Sequence, residues 1–263
     1  LSLYLANTFN WHIPFFALGF CSIFVLTAIL FVLPTMRDHL SHKATPWTES
    51  FTRVFTSPKR MGALFFLFCL VMGQFTIIPY VSTSLVANAG FEESDLPLIY
   101  IFGGIASFVS SPLAGRLSDL FGKPRIFQWS VVFSVLPILW ITHLGQGPLF
   151  FGIFACVLFF ISMAGRMVPA MALITESTDP AHRGSFMSFV SSVQQISAAF
   201  ASLLAGHIVS RATNGSGTLD HYSTVGWIAS GFSLLALVVV RGVFKFTPDA
   251  NEKIHSAATD SGV

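Results

Sequence analysis

Seven long runs of apolar residues, separated by polar connections, dominate this chain of 263 residues. Each run is about 20 residues long, which is the length an α-helix needs to cross the ~30 Å hydrocarbon layer of a bilayer. A backbone in lipid must satisfy its own hydrogen bonds, so the runs are predicted to be helices. We call them spans one to seven, and they are predicted at Ile13–Leu33, Met61–Ala87, Leu96–Gly115, Ile126–His143, Pro148–Ile174, Ser185–Val209 and Ser223–Phe244.

The composition supports lipid as the main solvent. Hydrophobic residues make up 53% of the chain and charged residues 10%, against about 25% charged residues in a soluble domain. The net charge of +2 is too small to indicate a nucleic-acid partner, and the sequence holds no glycine-rich phosphate loop. Cys21, Cys69 and Cys156 fall inside apolar runs without the spacing of a metal or disulfide site, and no cofactor is predicted.

The distribution of basic residues predicts the orientation, because Lys and Arg gather on cytoplasmic connections. Twelve of them lie after spans one, three and five or on the C-terminal tail, against Arg211 alone on the other side. The connection at 115–125, the long linker between spans one and two, and the C-terminus are therefore predicted to be cytoplasmic. The linker holds Phe51, Val54 and Phe55, which predict a short amphipathic helix on the membrane surface.

The connection after span three reads GRLSDLFGKPR, residues 115–125. Gly122 allows a positive φ angle in a tight turn, and Pro124 suits the first turn of the next helix. Asp119 is expected to accept hydrogen bonds from the N-terminus of a neighbouring helix. An ordinary charged hairpin loop is the alternative.

This connection resembles the G-x-L-x-D-x-x-G-[KR]-x-R signature of the major facilitator superfamily, with Leu120 in place of the usual basic residue. Asn10–Phe16 resembles the entry to the family's sixth helix, and Pro180–Ser185 resembles its loop between helices ten and eleven. The three segments occur in the family's order, and the nearest resemblance is to drug and arabinose efflux permeases. The resemblance implies a gating loop that contains Gly115, Arg116, Asp119, Gly122, Lys123 and Arg125.

The resemblance implies an all-α polytopic membrane protein, with the C-terminal six-helix bundle of a major facilitator fold and one preceding helix. Residues 1–33 would end an N-terminal bundle, 34–60 form a cytoplasmic linker, 61–246 form the six-helix bundle, and 247–263 form a disordered tail. Five further helices are expected upstream. The expected partners are the lipid bilayer, a small-molecule substrate and the missing N-terminal bundle, and the expected location is a bacterial inner membrane.

Arg166 in span five is the clear charge inside the membrane. An arginine near the bilayer centre costs ~2.5–3.5 kcal/mol on insertion scales, so it should face protein or a watery cavity. In one interpretation Arg166 binds an anionic substrate group or takes part in coupling. In the other it pairs with carbonyl or polar groups between helices.

Spans two and five are predicted to carry hinges, because transporters built from repeats place binding sites where corresponding helices are broken by Gly or Pro. The predicted hinge residues are Gly73, Pro79, Gly165 and Pro169. Span six carries small and polar residues at helical spacing, which indicate close helix packing or a cavity wall; they are Ser191, Gln194, Ala198, Ala201 and Ala205. The candidate residues of the substrate pathway are Arg166, Gln74, Tyr80 and Gln194.

No Asp or Glu lies well inside a span, so a proton-coupling carboxylate is expected in the missing half. We predict a secondary transporter, not an enzyme, that moves a small organic solute by alternating access, with proton-coupled efflux as its mode. A seven-helix receptor or sensor is the alternative. Span seven, however, lacks the lysine of a retinal protein, and the receptor signatures D-R-Y and N-P-x-x-Y are absent.

Overall fold

The structure is a computed structural model that describes residues 10–32, 52, 54–211 and 218–244. The chain forms two compact units, residues 1–49 and residues 50–263. In the first unit, α1 spans Ile13–Val32, and all of its side chains except Pro14 are exposed. Ser22 and Thr27 donate their hydroxyl hydrogens to carbonyls four residues earlier, at 2.8 and 2.7 Å, so the helix satisfies these polar groups internally.

The described residues of the second unit include seven helices of ten or more residues and one short hairpin. The helices are α2 (Pro58–Phe75), α3 (Ile78–Ala87), α4 (Leu96–Phe121), α5 (Lys123–Thr142), α6 (Leu149–Glu176), α7 (Arg183–Ile208) and α8 (Tyr222–Val243). Short 3₁₀ turns at Glu93–Asp95 and Pro180–His182 precede α4 and α7. Strands β1 (Ser210–Arg211) and β2 (Leu219–Asp220) pair antiparallel between α7 and α8.

Seven spans of the described residues are long and apolar enough to cross a membrane, with α2 and α3 together forming one of them. The prediction of an all-α polytopic protein is confirmed. The bounds differ in two places. Residues 58–60, predicted to belong to the linker, form the first turn of α2 because Pro58 suits a helix start. Of the predicted amphipathic segment, Phe51 lies outside the described residues, residues 52 and 54–56 are helical, Val54 is buried in the core, and Phe55 is 49% exposed.

The predicted loop at 115–125 is also wrong as a loop. Helix α4 continues to Phe121 and α5 starts at Lys123, so a single residue joins them. That residue is Gly122, whose φ angle of 89° strains any residue with a Cβ. The N-cap residues of α5 and α7, Gly122 and His182, make no side-chain cap hydrogen bond, and the expected interaction of Asp119 with a helix N-terminus stays a prediction.

Two apolar clusters lie at the two ends of the second unit. We call the end where α2, α5 and α7 start the basic end, since it carries Arg60, Lys123, Arg125, Arg183 and Arg241. Its cluster includes Phe66, Phe127 and Phe186, and the rings of Phe66 and Phe127 meet edge to face at 4.9 Å. The cluster of the opposite end includes Ile99, Ile138 and Phe159. Both clusters are drawn from several helices, which fixes the helices against one another.

Candidate functional site

Span two is broken between α2 and α3, at Thr76 and Ile77. Pro79 lies in the first turn of α3, where its missing N–H is not needed. The carbonyl of Ile77 accepts hydrogen bonds from the backbone N–H of Tyr80 at 3.1 Å and from the buried hydroxyl of Tyr222 in α8 at 3.2 Å. The carbonyl of Ile77 at the break therefore has one hydrogen-bond donor within span two and one on a neighbouring helix.

Span five is continuous, although an interruption was predicted there. Helix α6 runs over 28 residues with Pro169 inside it. Gly165 also stays helical and half-buried, and a Cβ at this position would lie 3.2 Å from the hydroxyl oxygen of Ser130. The structure therefore shows a break beside Pro79 and none at Gly165 or Pro169.

Gly73 lies inside α2, before the break, and faces α8 closely. A Cβ on Gly73 would lie 2.6 Å from the hydroxyl oxygen of Ser233 and 2.9 Å from the carbonyl oxygen of Ala229. These separations are shorter than real Cβ contacts. Gly73 therefore allows the backbones of α2 and α8 to approach, which is the usual function of small residues between membrane helices.

Arg166 is fully buried in α6, on the side that meets α8. Its Nη1 donates to the hydroxyl oxygen of Ser233 at 2.8 Å, and that hydroxyl in turn donates to the carbonyl of Ala229 at 2.8 Å. Within the described residues, the Nε and Nη2 atoms of Arg166 and the Oε1 atom of Gln74 have no hydrogen-bond partner. Arg166 therefore contacts α8 through one nitrogen, while its two other nitrogens have no partner in the described part of the chain.

Helix α7 divides into three faces, and this feature was not predicted from the sequence. One face is buried and contains Phe186, Val190, Ser197, Ala201 and Ala205. A second is exposed and apolar, with Ile196, Phe200 and Leu203 each more than half exposed. The third is exposed and small or polar, and we call it the polar face of α7; it consists of Ser188, Ser192, Gln195, Ala199 and Gly206.

The predicted residues of span six divide between the margin of this polar face and the interior of the bundle. Gln194 is half-buried, whereas its neighbour Gln195 is exposed. Ala201 and Ala205 of the predicted stripe pack in the interior. The sequence contains this polar face, because positions 188, 192, 195, 199 and 206 lie on one side of a helical wheel drawn at about 100° per residue. Which polar face is exposed depends on the packing of the other helices.

Tyr80 joins the polar face from α3. A Cβ on Gly206 would lie 2.9 Å from the hydroxyl oxygen of Tyr80, so the tyrosine hydroxyl sits directly against the end of the polar face. Tyr80 is half-buried, and the neighbouring Pro79 is exposed. The structure thus brings Tyr80 together with the polar face of α7 and places Arg166 elsewhere, against α8.

Ion pairs connect the helices at the basic end. Lys123 at the start of α5 pairs with Glu176 at the end of α6, and Arg60 in the first turn of α2 pairs with Asp179 at 3.2 Å. Both acidic residues were missed from the sequence. The sequence feature that indicates them is the position of these two acids just after span five, at the end of the bundle where basic residues predominate.

The other residues of the predicted gating loop lie in the helices. Arg116 and Asp119 are exposed on the last turns of α4, Gly115 is half-buried in the same helix, and Arg125 is exposed in the first turn of α5. The described residues contain no group of three or more His, Cys, Asp and Glu that is able to hold a metal ion. The chemistry available at the polar face is therefore hydrogen bonding from hydroxyl and amide groups.

Comparison with known proteins gives consistent relatives. The Major Facilitator Superfamily matches over residues 63–260. An uncharacterized MFS-type transporter, YceJ of Bacillus subtilis, is 22% identical over 85% of this chain and 56% of its own length. An uncharacterized transporter of Buchnera aphidicola is 30% identical over 53% of this chain and 34% of its own. The putative transporter AraJ of Escherichia coli is 23% identical over 55% of this chain and 36% of its own.

The chain spans little more than half the length of YceJ and about a third of the other two relatives. The family match nevertheless covers most of the chain, including α2 from residue 63 onward and all of α3 to α8. The seven apolar helices agree with a protein that crosses the bilayer several times. The chain is thus an integral, multi-pass membrane protein that belongs to the Major Facilitator Superfamily.

Proposed function

We propose that this chain is part of a secondary transporter that moves a small organic solute across the membrane by alternating access. The observation that carries the proposal is the polar face of α7. Unpaired polar groups are costly in hydrocarbon, and the adjacent face of the same helix already offers Ile196, Phe200 and Leu203 to lipid. Ser188 and Ser192 bond to their own helix, so the exposed amide of Gln195 is the group of the polar face that requires water or another part of the protein beside it.

A solute pathway fits this face better than a tight helix interface. Its side chains are short, and Ser192 donates its hydroxyl hydrogen to the backbone of its own helix at 3.0 Å, so this serine needs no partner across the space. Gln195 and Tyr80 supply amide and hydroxyl groups that bind a solute by hydrogen bonds. Gln74 and Gln194 line the margins in this proposal, and Arg166 positions α6 and α8 behind the wall.

The proposal includes a second helical bundle that this chain does not contain. Such a bundle would close the pathway opposite the polar face, and the ion pairs Lys123–Glu176 and Arg60–Asp179 would stiffen the basic end while the bundles move. We place the basic end in the cytoplasm, since basic residues accumulate there, and a bacterial inner membrane is the location proposed. The family assignment gives no support to the alternative of a seven-helix receptor.

Proton-coupled efflux is the mode that we propose. No Asp or Glu lies well inside a span, since Asp119 and Glu176 lie in the last turns of α4 and α6, so the titrating carboxylate would belong to the other bundle. The resemblance to drug and arabinose efflux permeases supports this mode.

Cysteine labelling tests the pathway in the full-length protein, with its native cysteines replaced. Ser192→Cys places a thiol on the polar face, and Phe200→Cys places a thiol on the apolar face of the same helix, about 80° further round it. A charged, membrane-impermeant methanethiosulfonate reagent is applied from each side of the membrane separately. We expect Ser192→Cys to react from both sides, because alternating access opens the pathway to each side in turn, and Phe200→Cys to resist the reagent.

Two results contradict the proposal. Equal reaction of both thiols would mean that the two faces do not differ in their access to water. Reaction of Ser192→Cys from one side alone would mean that the polar face lines a fixed vestibule.

A proton gradient that changes the side from which Ser192→Cys reacts faster would support proton coupling, and an unchanged ratio would count against it.

A further inference from the structure

A groove of about 260 Å³ lies between α4 and α5, with α6 forming its floor. Its walls are mostly apolar and include Leu113 and Leu117 of α4 and Trp129 and Phe133 of α5, while Ser162 and Gly165 of α6 lie beneath them. This groove shares no residue with the polar face of α7. The proposed transport pathway therefore leaves it without a function.

The small residues of the floor explain why the groove exists. Ser130 and Gly165 bring α5 close to α6, since a Cβ on Gly165 would lie 3.2 Å from the Ser130 hydroxyl. Helix α4 also packs along α6, so both helices rest on the same neighbour. The space left between α4 and α5 is wide enough to expose Leu113 by 53% and Trp129 by 70% at its edges.

One stripe of α5 runs along the edge of the groove from a cation to apolar rings. Arg125, Trp129 and Phe133 recur at intervals of four residues, so they lie on one side of the helix. Arg125 is exposed in the first turn of α5, and Trp129 follows ~6 Å deeper at 1.5 Å per residue. Trp, like Tyr, is enriched at the headgroup level of a bilayer.

The depth and charge of the groove fit one leaflet of the membrane. Its stretch of α5, from Ile126 to Phe133, covers ~10 Å of the helix axis, which is less than half of the ~30 Å hydrocarbon layer. The acidic Asp119 lies on the far side of α4 from Leu117, because two residues turn the helix by about 200°. Glu176, the acid at the end of the floor helix, is paired with Lys123.

We propose that this groove binds an anionic phospholipid of the leaflet at the basic end. One acyl chain lies between α4 and α5 over Ser130 and Gly165, and the phosphate group lies beside Arg125. Basic side chains at the cytoplasmic membrane surface attract anionic lipids with ~1 kcal/mol each, and the apolar walls receive an acyl chain by van der Waals packing, as between helices in lipid. The site goes beyond the proposed transport function and does not depend on it.

Fluorescence quenching by brominated lipids tests the site in the full-length protein in phosphatidylcholine vesicles. Trp129 is kept and every other tryptophan is replaced by phenylalanine. At equal mole fraction, brominated phosphatidylglycerol is expected to associate with Trp129 roughly fivefold more strongly than brominated phosphatidylcholine, the ratio that ~1 kcal/mol gives. A second protein that keeps only Trp227, which is exposed in α8, is expected to show no preference.

Two variants separate the headgroup from the groove. Arg125→Gln is expected to remove the preference by removing the cation, and Ser130→Leu is expected to remove it by filling the floor. Arg241→Gln, which removes a cation from α8 at the basic end, is expected to keep the preference for the anionic lipid. Equal quenching by both lipids would overturn the proposal, and so would a preference that survives Arg125→Gln and Ser130→Leu. Absence of quenching at Trp129 by either lipid would show that protein covers the groove, which also overturns it.

Discussion

Spans two and five carry the same sequence signal and have different structures. Each contains a glycine followed by a proline, Gly73 and Pro79 in one and Gly165 and Pro169 in the other. Span two is broken at Thr76 and Ile77, whereas α6 continues through its proline. Under the family resemblance the two spans occupy corresponding positions, so the comparison isolates what decides whether a membrane helix breaks.

A proline alone does not break a helix in this bundle. Pro112 and Pro137 also lie inside continuous helices, as expected where neighbouring groups in a membrane satisfy the freed backbone. The break in span two has an external partner, because the hydroxyl of Tyr222 donates to the carbonyl of Ile77. The hydroxyl of Thr76 also donates to the carbonyl of Met72 at 2.8 Å. We infer that side-chain donors at the carbonyls, in addition to a proline, stabilise the broken form.

The largest expected effect comes from the two glycines. Gly73→Ala places a Cβ 2.9 Å from the backbone carbonyl of Ala229, so α2 and α8 must separate, and we expect the free energy of unfolding to fall by about 3 kcal/mol. Gly165→Ala meets only the movable hydroxyl of Ser130 and gains helix propensity of up to ~1 kcal/mol. Reversible unfolding in mixed micelles measures both changes.

Gly104→Ala is the control for the glycine pair, since nothing lies within 4 Å of a Cβ at that position. If Gly73→Ala and Gly104→Ala unfold at the same free energy, the close approach of α2 to α8 does not stabilise the bundle. The interpretation of Gly73 as a packing residue would then be wrong, and its predicted function as a hinge would regain support.

The prolines give the next effect, with the opposite sign. Pro169→Ala in α6 restores the N–H that bonds the carbonyl of Gly165, so the unfolding free energy is expected to rise by ~1–2 kcal/mol, less than the full ~3 kcal/mol of propensity because side-chain burial is lost. Pro79→Ala is the matched variant, and its change is expected to be near zero because Pro79 lies in the first turn of α3. An equal gain in the two variants would show that Pro79 itself imposes the break.

The smallest effect tests the donor at the break. Tyr222→Phe removes the buried hydroxyl that bonds Ile77, and the loss of one hydrogen bond is expected to cost about 1 kcal/mol, since Tyr80 still donates to the same carbonyl. Tyr100→Phe is the control, because it removes a half-buried hydroxyl bond to Ser82, five residues after Ile77, and leaves the donors to the Ile77 carbonyl in place. Thermal unfolding in detergent and amide hydrogen exchange near residue 77 measure stability and local opening.

Faster exchange near residue 77 in Tyr222→Phe, with no such change in Tyr100→Phe, would support a stabilising contact at the break. Identical exchange in the two variants would mean that the break persists without its donor. The comparison between spans two and five would then need another explanation.

The proposed pathway was predicted from the sequence in part. Tyr80 was a candidate and lies against Gly206, at the end of the polar face, but Gln194 was the candidate of span six and its neighbour Gln195 is the more exposed of the two. One-dimensional spacing shows which residues share a helix face, and it does not show which face meets a neighbour. The gating residues Arg116 and Asp119 were placed in a loop because span three was predicted to end at Gly115. The helix continues to Phe121, and the turn is made by Gly122, which has a positive φ angle.

The number of spans, their helical form and the collection of basic residues at one end follow from the sequence alone, because bilayer thickness and backbone hydrogen bonding leave a long apolar run few alternatives. The tertiary structure alone decided that Arg166 lies against Ser233, that span two breaks and span five does not, and that Glu176 and Asp179 pair with basic residues. These features depend on contacts between helices distant in sequence. Hydrophobic patterning fixes that each helix is buried in lipid or protein, but not which neighbour it meets.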